Sequence, residues 1–478
     1  MFSFGLGMGA ALPGRAAEGI SAGPLYQEFR LTLAPGTRTE ALGPFFQLEH
    51  QEETSQWAIP PFFCRVQNFG TDSAEFDVLY PLLTYDRFGA EYRFQILQLF
   101  SFSGGQTQAD IRKDRFTLFP FYFQQRSANT NDNYTAFLPF YGTIKDRLLR
   151  DEIHFCLLPL YLQSRKRDIV TDNYLLPFFH LRHGDGLRGW QFWPLIGNEH
   201  KEITTRTNRF DDLETVAGHD KFFALWPFYF STKVGLGTEN PETTHALLPL
   251  YSLMRSPKRD SSTYLWPFFV FTDDREKKYH EFATPWPLIL FARGEGKTAN
   301  RVWPLFGHSH NSANLQSDFY LWPIYKYNRA HATSLNRERT RIFFFLFSDL
   351  TEANPQTGDA LRRTDLWPIF TAHRDLDGNR RLQIFAPIEP MLPNNKSIER
   401  NWSPLWSLWR SEANAKTGAA SQSLLWNLYR SDTAPESKKC SIFFGLIQYQ
   451  STPSGQHWRW FYLPATKSPP TTVNPPKS

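Results

Sequence analysis

Six residues after the proline of a recurring unit, eighteen of which mark this chain, there is usually a cation. Counted from Pro24, Pro81, Pro120, Pro139, Pro159, Pro227, Pro249, Pro287, Pro323, Pro368 and Pro404, the sixth residue is Arg30, Arg87, Arg126, Lys145, Arg165, Lys233, Arg255, Arg293, Arg329, Arg374 and Arg410. His50, His183, His200 and His310 hold the place after four other prolines, and only Gln67, Asp273 and Pro393 break the rule. Fifteen of eighteen such positions are therefore basic or His, against about one residue in seven overall. Arginine dominates, and its planar guanidinium pairs with phosphate or carboxylate through two parallel hydrogen bonds. The chemistry on offer is anion binding. The eleven Arg and Lys residues form a candidate rim for membrane lipid, an anionic glycolipid or a polysaccharide. The plainer use of the same residues is hydrogen bonding to neighbouring strand ends and turn carboxylates.

Other motifs that could do chemistry are weaker. "GEGKT" at 294–298 has the end of a phosphate-binding loop, but Phe291 stands where its first glycine belongs. It reads as a hairpin turn. His308 and His310 could share one strand face and a metal, and they read as a strand end. "RDLDGN" at 374–379 lacks the downstream Glu of a calcium loop and reads as a β-turn. Neither G-x-S-x-G nor H-E-x-x-H occurs. No catalytic constellation stands at a workable spacing, so no enzyme, cofactor or metal is expected. Cys64, Cys156 and Cys440 are odd in number and far apart, which argues against a disulfide scaffold. A net charge of +5 permits anionic partners without pointing to nucleic acid.

The elements that must position the cations follow from the prolines themselves. "TYLWPFFVFTDD" (263–274) reads as a β-strand with Pro267 at its centre, and "LLPFFHLRHG", "LLPLYSLMRS" and "LWPIYKYNRA" repeat the arrangement. The step from proline to proline is usually 17 to 22 residues, and proline-free versions ("FQILQLFSFSG", "RIFFFLFSDL", "LLWNLYRSD", "SIFFGLIQYQ") fill the gaps. This gives about 23 strand-like units separated by polar, Gly-rich turns such as "RHGDGLRG" and "RDLDGNRR". The 44 Phe, 19 Tyr and 15 Trp favour strands, and 34 prolines leave little room for helix. The expected fold is all-β: an antiparallel meander of about 23 proline-marked strands, closed as a large β-barrel, with a propeller or stacked sheets as the alternative. A parallel solenoid would stack the arginines directly, which is destabilising.

Alternation then assigns faces. The residues beside each proline are Trp, Leu, Phe or Ile, so that face is expected to be the dry one, with Phe268 and Leu250 buried and Thr272 wet. The cations lie an even number of residues away, on the proline face. In a meander of whole strands they would divide by strand parity between two rims, one at each end of the sheet.

Residues 1–18 resemble the later part of a signal segment, residues 19–465 form one repeat-built domain, and the proline-rich 466–478 is expected to be a disordered tail. No run of 18 apolar residues would make a transmembrane helix. "FPFYFQQR" (119–126), "LPLYLQSR" (158–165) and "WPIYKYNR" (322–329) resemble the repeated F-P-L-Y-W-R strands of uncharacterised exported bacterial proteins, with a weaker likeness to outer-membrane β-barrels. That resemblance implies export, with the outer membrane as the first expectation and the periplasm or exterior as the second. It implies no activity. The function expected is non-enzymatic: a cell-envelope barrel acting as a channel or handling lipid or polysaccharide, or else a soluble β-repeat binding protein.

Overall fold

The prolines do not sit inside strands. In the computed structural model, which describes residues 22–106, 112–207, 212–311, 314–453 and 455–461, most proline units are hairpins, while Pro24 and Pro44 lie in 3-10 turns and Pro404 in a short helix. The stretch containing Pro267 resolves into strand Arg259–Tyr264, a turn at 265–268, and strand Phe269–Asp274, which folds back with Phe269 opposite Tyr264. The Phe268 N–H donates to the Leu265 carbonyl at 2.9 Å and the Trp266–Pro267 bond is cis. This is a type VI turn, which places a cis proline at its third position. The missing N–H therefore falls where the ladder asks for no donor. The same closure recurs from Phe121 to Leu118, Leu160 to Leu157, Phe228 to Leu225 and Ile324 to Leu321, each 2.7–2.8 Å.

The turns are also stitched to one another. The N–H of Trp266 donates to the Pro249 carbonyl, Trp226 to Pro194, Trp322 to Pro304 and Leu176 to Pro159, all at 2.7 Å. Proline thus loses a donor and keeps a used acceptor.

The expected strand count is corrected accordingly. There are about 44 short strands rather than 23, because most proline units supply two. Most are six residues long, roughly 20 Å. Forty-two form one sheet of antiparallel neighbours in chain order. The remaining pair, Thr204–Thr207 and Leu213–Val216, makes a separate hairpin between strands Ile196–Lys201 and Gly218–Ala224. Helix among the described residues is confined to Lys396–Asn401, Ser403–Trp406 and three single 3-10 turns. The expected hydrogen-bonded barrel is not found: among the described residues no ladder joins the first strand, Gln27–Arg30, to the last, Gly455–Trp460. The segments expected to be a signal (1–18) and a tail (466–478) lie outside the described residues.

Halving the strand changes the geometry of the whole repeat. Every proline turn now comes back to the same edge of the sheet, and every polar turn to the opposite edge. The two faces differ as well. One carries aromatics in cross-strand files, such as Phe46, Trp57, Phe63 and Phe76, or Phe94, Phe102 and Phe116. The other carries small and polar side chains packed tightly enough to be covered: Ala58, Ala136, Ala283 and Ala292 are fully buried. Two apolar clusters lie on this face, one around Phe123, Ile144 and Phe155, the other around Tyr279, Leu290 and Ala299. The expected dry face is thus reversed. Phe268 and Leu250 are 53% and 54% exposed, and Thr272 is 5% exposed. The residues flanking proline are turn residues that project from the sheet edge, not strand residues that point into a layer.

Cys64 lies on the covered face, 2% exposed, and burial pushes its thiol up to about 12. Cys156 is exposed. An alkylating reagent at pH 8 is expected to modify Cys156 in the native protein and to reach Cys64 only after unfolding, as read by peptide mass mapping. Rapid native labelling of Cys64 would contradict the face assignment.

Candidate functional site: the proline-turn edge and the seam

The turn sequence L-W-P-F dictates an apolar edge. None of its four side chains can enter the sheet, so Leu, Trp and Phe are left outside it. Leu265, Trp266 and Phe268 are 53%, 50% and 53% exposed, and Leu225, Trp226 and Phe228 repeat the pattern. Successive turns touch through their rings: Trp193 with Trp226 at 6.1 Å, Trp303 with Trp322 at 5.8 Å, and Phe345 with Trp367 at 5.6 Å. Just inside the edge, on the aromatic face, stand the tyrosines two residues after proline. Tyr161 packs against Tyr174 at 5.3 Å and Tyr320 against Tyr325 at 5.9 Å. The edge is therefore a continuous apolar border backed by a band of phenols.

The opposite edge is polar and ion-paired. Lys258 meets Glu276, Lys278 meets Glu295, and Arg275 meets Asp260, all at 2.9 Å. The cations singled out by their spacing lie near this edge. Arg30, Arg87, Arg126, Lys145, Arg165, Lys233, Arg255, Arg293, Arg329 and Arg374 all fall on the aromatic face. They form one row instead of two rims, because the repeating unit is a hairpin. Three of them share one use. Arg255 Nη1 donates to the carbonyls of Met254 and Ser261, and Nη2 to Ser262 Oγ. Arg293 does the same with Ala292, Ala299 and Asn300, and Arg126 with Gln125, Tyr134 and Thr135. The guanidinium fork bridges the carbonyls of two adjacent strands where the ladder ends. Arg87 pairs with Asp72, and Arg165 and Lys145 with Glu152. Arg30, Lys233 and Arg374 make no side-chain hydrogen bond or ion pair among the described residues.

Arg410 is the exception. It projects from the other face, into the place where the two ends of the sheet meet. Here the contacts span more than three hundred residues: Gln27 Nε2 donates to the Phe444 carbonyl, Thr32 Oγ1 to Ser421 Oγ, and Asn427 Nδ2 to Glu40 Oε2. Arg430 stacks over the Phe29 ring at 3.6 Å. The helical insert closes the join from the side: Arg400 pairs with Glu75, Asn401 Nδ2 donates to Asp77 Oδ2, and Trp402 Nε1 donates to the Tyr80 carbonyl. The seam encloses two adjoining cavities of about 670 and 240 Å³ that share Arg38, Gln47, Glu49, Arg381, Arg410 and Glu412. Burial alone would lower the Arg38 guanidinium, but Glu49 and Glu40 beside it hold it above its ordinary value. For Arg410 the balance falls the other way: burial, with Arg38 nearby, lowers it. His373, on the cavity wall, is likewise lowered by burial and by Arg381 and Arg363.

The remaining motifs take structural places. The "GEGKT" stretch is the turn between strands Ile289–Gly294 and Lys297–Val302, with no helix behind it. His308 pairs with Asp318, and no group of three or more His, Cys, Asp or Glu is placed to hold a metal among the described residues. Asp375 accepts from the backbone and side chain of Asn379, closing the expected β-turn. No family model matches the chain, and no curated protein matches it significantly.

Proposed function

We propose that the protein is a non-enzymatic cell-envelope protein that seats its proline-turn edge in one leaflet of a lipid bilayer. The observation that carries this reading is the row of exposed Leu, Trp and Phe at successive proline turns, with tyrosines directly behind them; the opposite edge also exposes Phe69, Phe88, Leu148 and Leu149 but is broken up by ion pairs. Aromatic belts of this kind mark the boundary between hydrocarbon and headgroups. A four-residue turn with the first strand residue behind it reaches the depth of an interfacial element, about 5–10 Å. Spanning fits less well. A strand that crosses a bilayer needs about 9–11 residues, and strands such as Phe269–Asp274 have six, of which the last are charged. In this reading the expected envelope barrel, acting as a channel or handling lipid or polysaccharide, becomes a sheet that stands on the membrane by its edge.

The test is flotation of the full chain with phosphatidylcholine–phosphatidylglycerol vesicles, with tryptophan emission read in parallel. Co-flotation with a blue shift, and quenching by lipids brominated near the headgroups more than by lipids brominated at the chain ends, is the expected result. A protein that stays at the bottom of the gradient with unchanged emission would overturn the reading.

A further inference from the structure

The geometry points to a ligand site inside the seam, where Arg410 receives the carboxylate or phosphate of a small, hydroxyl-rich anion such as a sugar acid or sugar phosphate. It stands independently of the lipid reading, which concerns the opposite end of the strands and a different face.

The cations of the seam differ in what they meet; Arg30, Arg380 and Lys396 border the cavities without an ion pair among the described residues, but they are exposed to solvent. Arg38 has Glu49, Arg363 has Asp365, Arg381 has Glu399 and Glu412, and Arg400 has Glu75. Arg410 has no ion pair and no side-chain hydrogen bond among the described residues. Neighbouring atoms enclose it, yet part of its surface stays open to the cavities it lines. Glu412 and Glu40 act on it from nearby but neither pairs with it directly; an enclosed charge without a bonded counter-ion is costly, and such groups mark sites where a ligand arrives to pair with them. A guanidinium offers that arrival a planar fork matched to two oxygens of a carboxylate or phosphate.

The second observation is independent. Gln47 is 2% exposed, lines both cavities, and its Nε2 has no hydrogen-bond partner. Ser407, 5% exposed on the wall of the smaller cavity, also leaves its Oγ without one. Buried polar groups in folded proteins are nearly always paired, so three unpaired groups around one space describe a missing polar partner. The walls explain its chemistry. Around the charges stand Gln51, Thr54, Gln56, Thr371 and Asn394, which are amides and hydroxyls suited to hydroxyl groups. In the larger cavity the only apolar lining residues are Leu33, Val66, Leu382 and Pro404, so a fatty chain would find little to pack against there. A cavity of about 670 Å³ falls within the range of small-ligand sites, about 300–1,000 Å³.

The test uses the full chain, with inorganic phosphate and D-glucuronate as separate probes in calorimetry and thermal unfolding at constant ionic strength. At least one probe should bind and raise the midpoint of the native protein. Phosphate alone points to a phosphorylated ligand, and glucuronate alone to a sugar acid. Arg410→Gln should weaken that binding at least tenfold while leaving the midpoint without probe equal or higher, because it removes an uncompensated charge. Arg410→Lys, which keeps charge but loses the fork, should weaken it as well, and Lys233→Gln, outside the seam, should not. Failure of both probes to bind the native protein would overturn the proposal. So would full binding by Arg410→Gln, or a lower midpoint of that variant without probe, which would make Arg410 a folding residue.

Discussion

Replacing Trp266, Phe268 and Leu250 together by glutamate is expected to leave the folded sheet intact and to abolish vesicle binding. All three side chains are about half exposed on two adjacent proline turns, so the fold loses little when they change. At about 25 cal/mol per Å², seating the exposed half of each side chain in lipid is worth about 1 kcal/mol, and each glutamate adds a cost of similar size or larger at the interface. The sum, roughly 6 kcal/mol, corresponds to a loss of about four orders of magnitude in membrane affinity. Thr272→Asp should do the reverse. Thr272 is 5% exposed, and its Oγ1 lies 3.1 Å from Ser261 Oγ on the covered face. Glu281 stands directly opposite Thr272 and already holds Lys297, so a carboxylate there should cost about 3 kcal/mol or more in unfolding free energy. Arg126→Gln and Arg255→Gln, at the polar edge, should lower stability modestly without changing vesicle binding. Denaturant unfolding and flotation, measured on the same samples, separate these outcomes. Equal loss of folding in the turn variant and in Thr272→Asp would sink the assignment of the turns to a lipid-facing edge.

Much of this architecture could be read from the residues, and the misreadings have one origin. The antiparallel meander, the absence of long helices and the polar hairpin turns follow from alternation and turn chemistry, and each is present. Asp114 and Thr243 stand directly opposite Arg126 and Arg255. The proline was the obstacle. Ten apolar residues with proline in the middle look like one long strand, because apolar turns are rare and turn residues are usually Gly, Asn or Asp. A type VI turn needs only proline in cis, and it tolerates Leu, Trp and Phe around it. Once the unit is a hairpin, the two rims become one row, the strand count doubles, and the flanking aromatics move from a buried face to an exposed edge. The seam was not legible for a different reason. It joins residues more than three hundred positions apart, and a repeat gives no sign of where its ends will meet. Arg410 shared the spacing of the other cations, and nothing in that spacing set it apart. The hint was local: Pro404 lies in the short helical insert 396–406, so the sixth residue after it falls on the other face.

Because the seam is where residues more than three hundred positions apart in the described chain are joined by side-chain bonds, its loss should loosen both ends of the sheet and leave the middle alone. Repeat proteins are stabilised by neighbour contacts, so the effect of a local break stays local. Asn401 is the residue to remove. It is fully buried, and its Nδ2 donates at 2.9 Å to both Asp77 Oδ2 and the Ser397 carbonyl. Asn401→Leu leaves a carboxylate that is 5% exposed without that donor, a loss of about 2–3 kcal/mol. Amide exchange in strands Thr54–Ile59, Ser73–Val78 and Arg380–Ile384 should then quicken by about thirty- to a hundredfold, while Glu242–Leu247 and Lys297–Val302 keep their rates. Asp77 itself supplies a pH signature. Burial raises its carboxyl above the ordinary value, against the bonds from Ser397 and Asn401 and the charge of Arg400. A carboxyl raised on folding contributes stability that is complete below its unfolded pKa and is lost as pH rises through the folded one. Asp77→Asn removes that loss while keeping an oxygen for Asn401. It should therefore be more stable than the native protein at pH 7, with the difference closing as pH falls toward 4. A variant that is less stable than the native protein at pH 7, or whose difference does not change with pH, would show that the Asp77 charge is held by its partners rather than opposed by its burial.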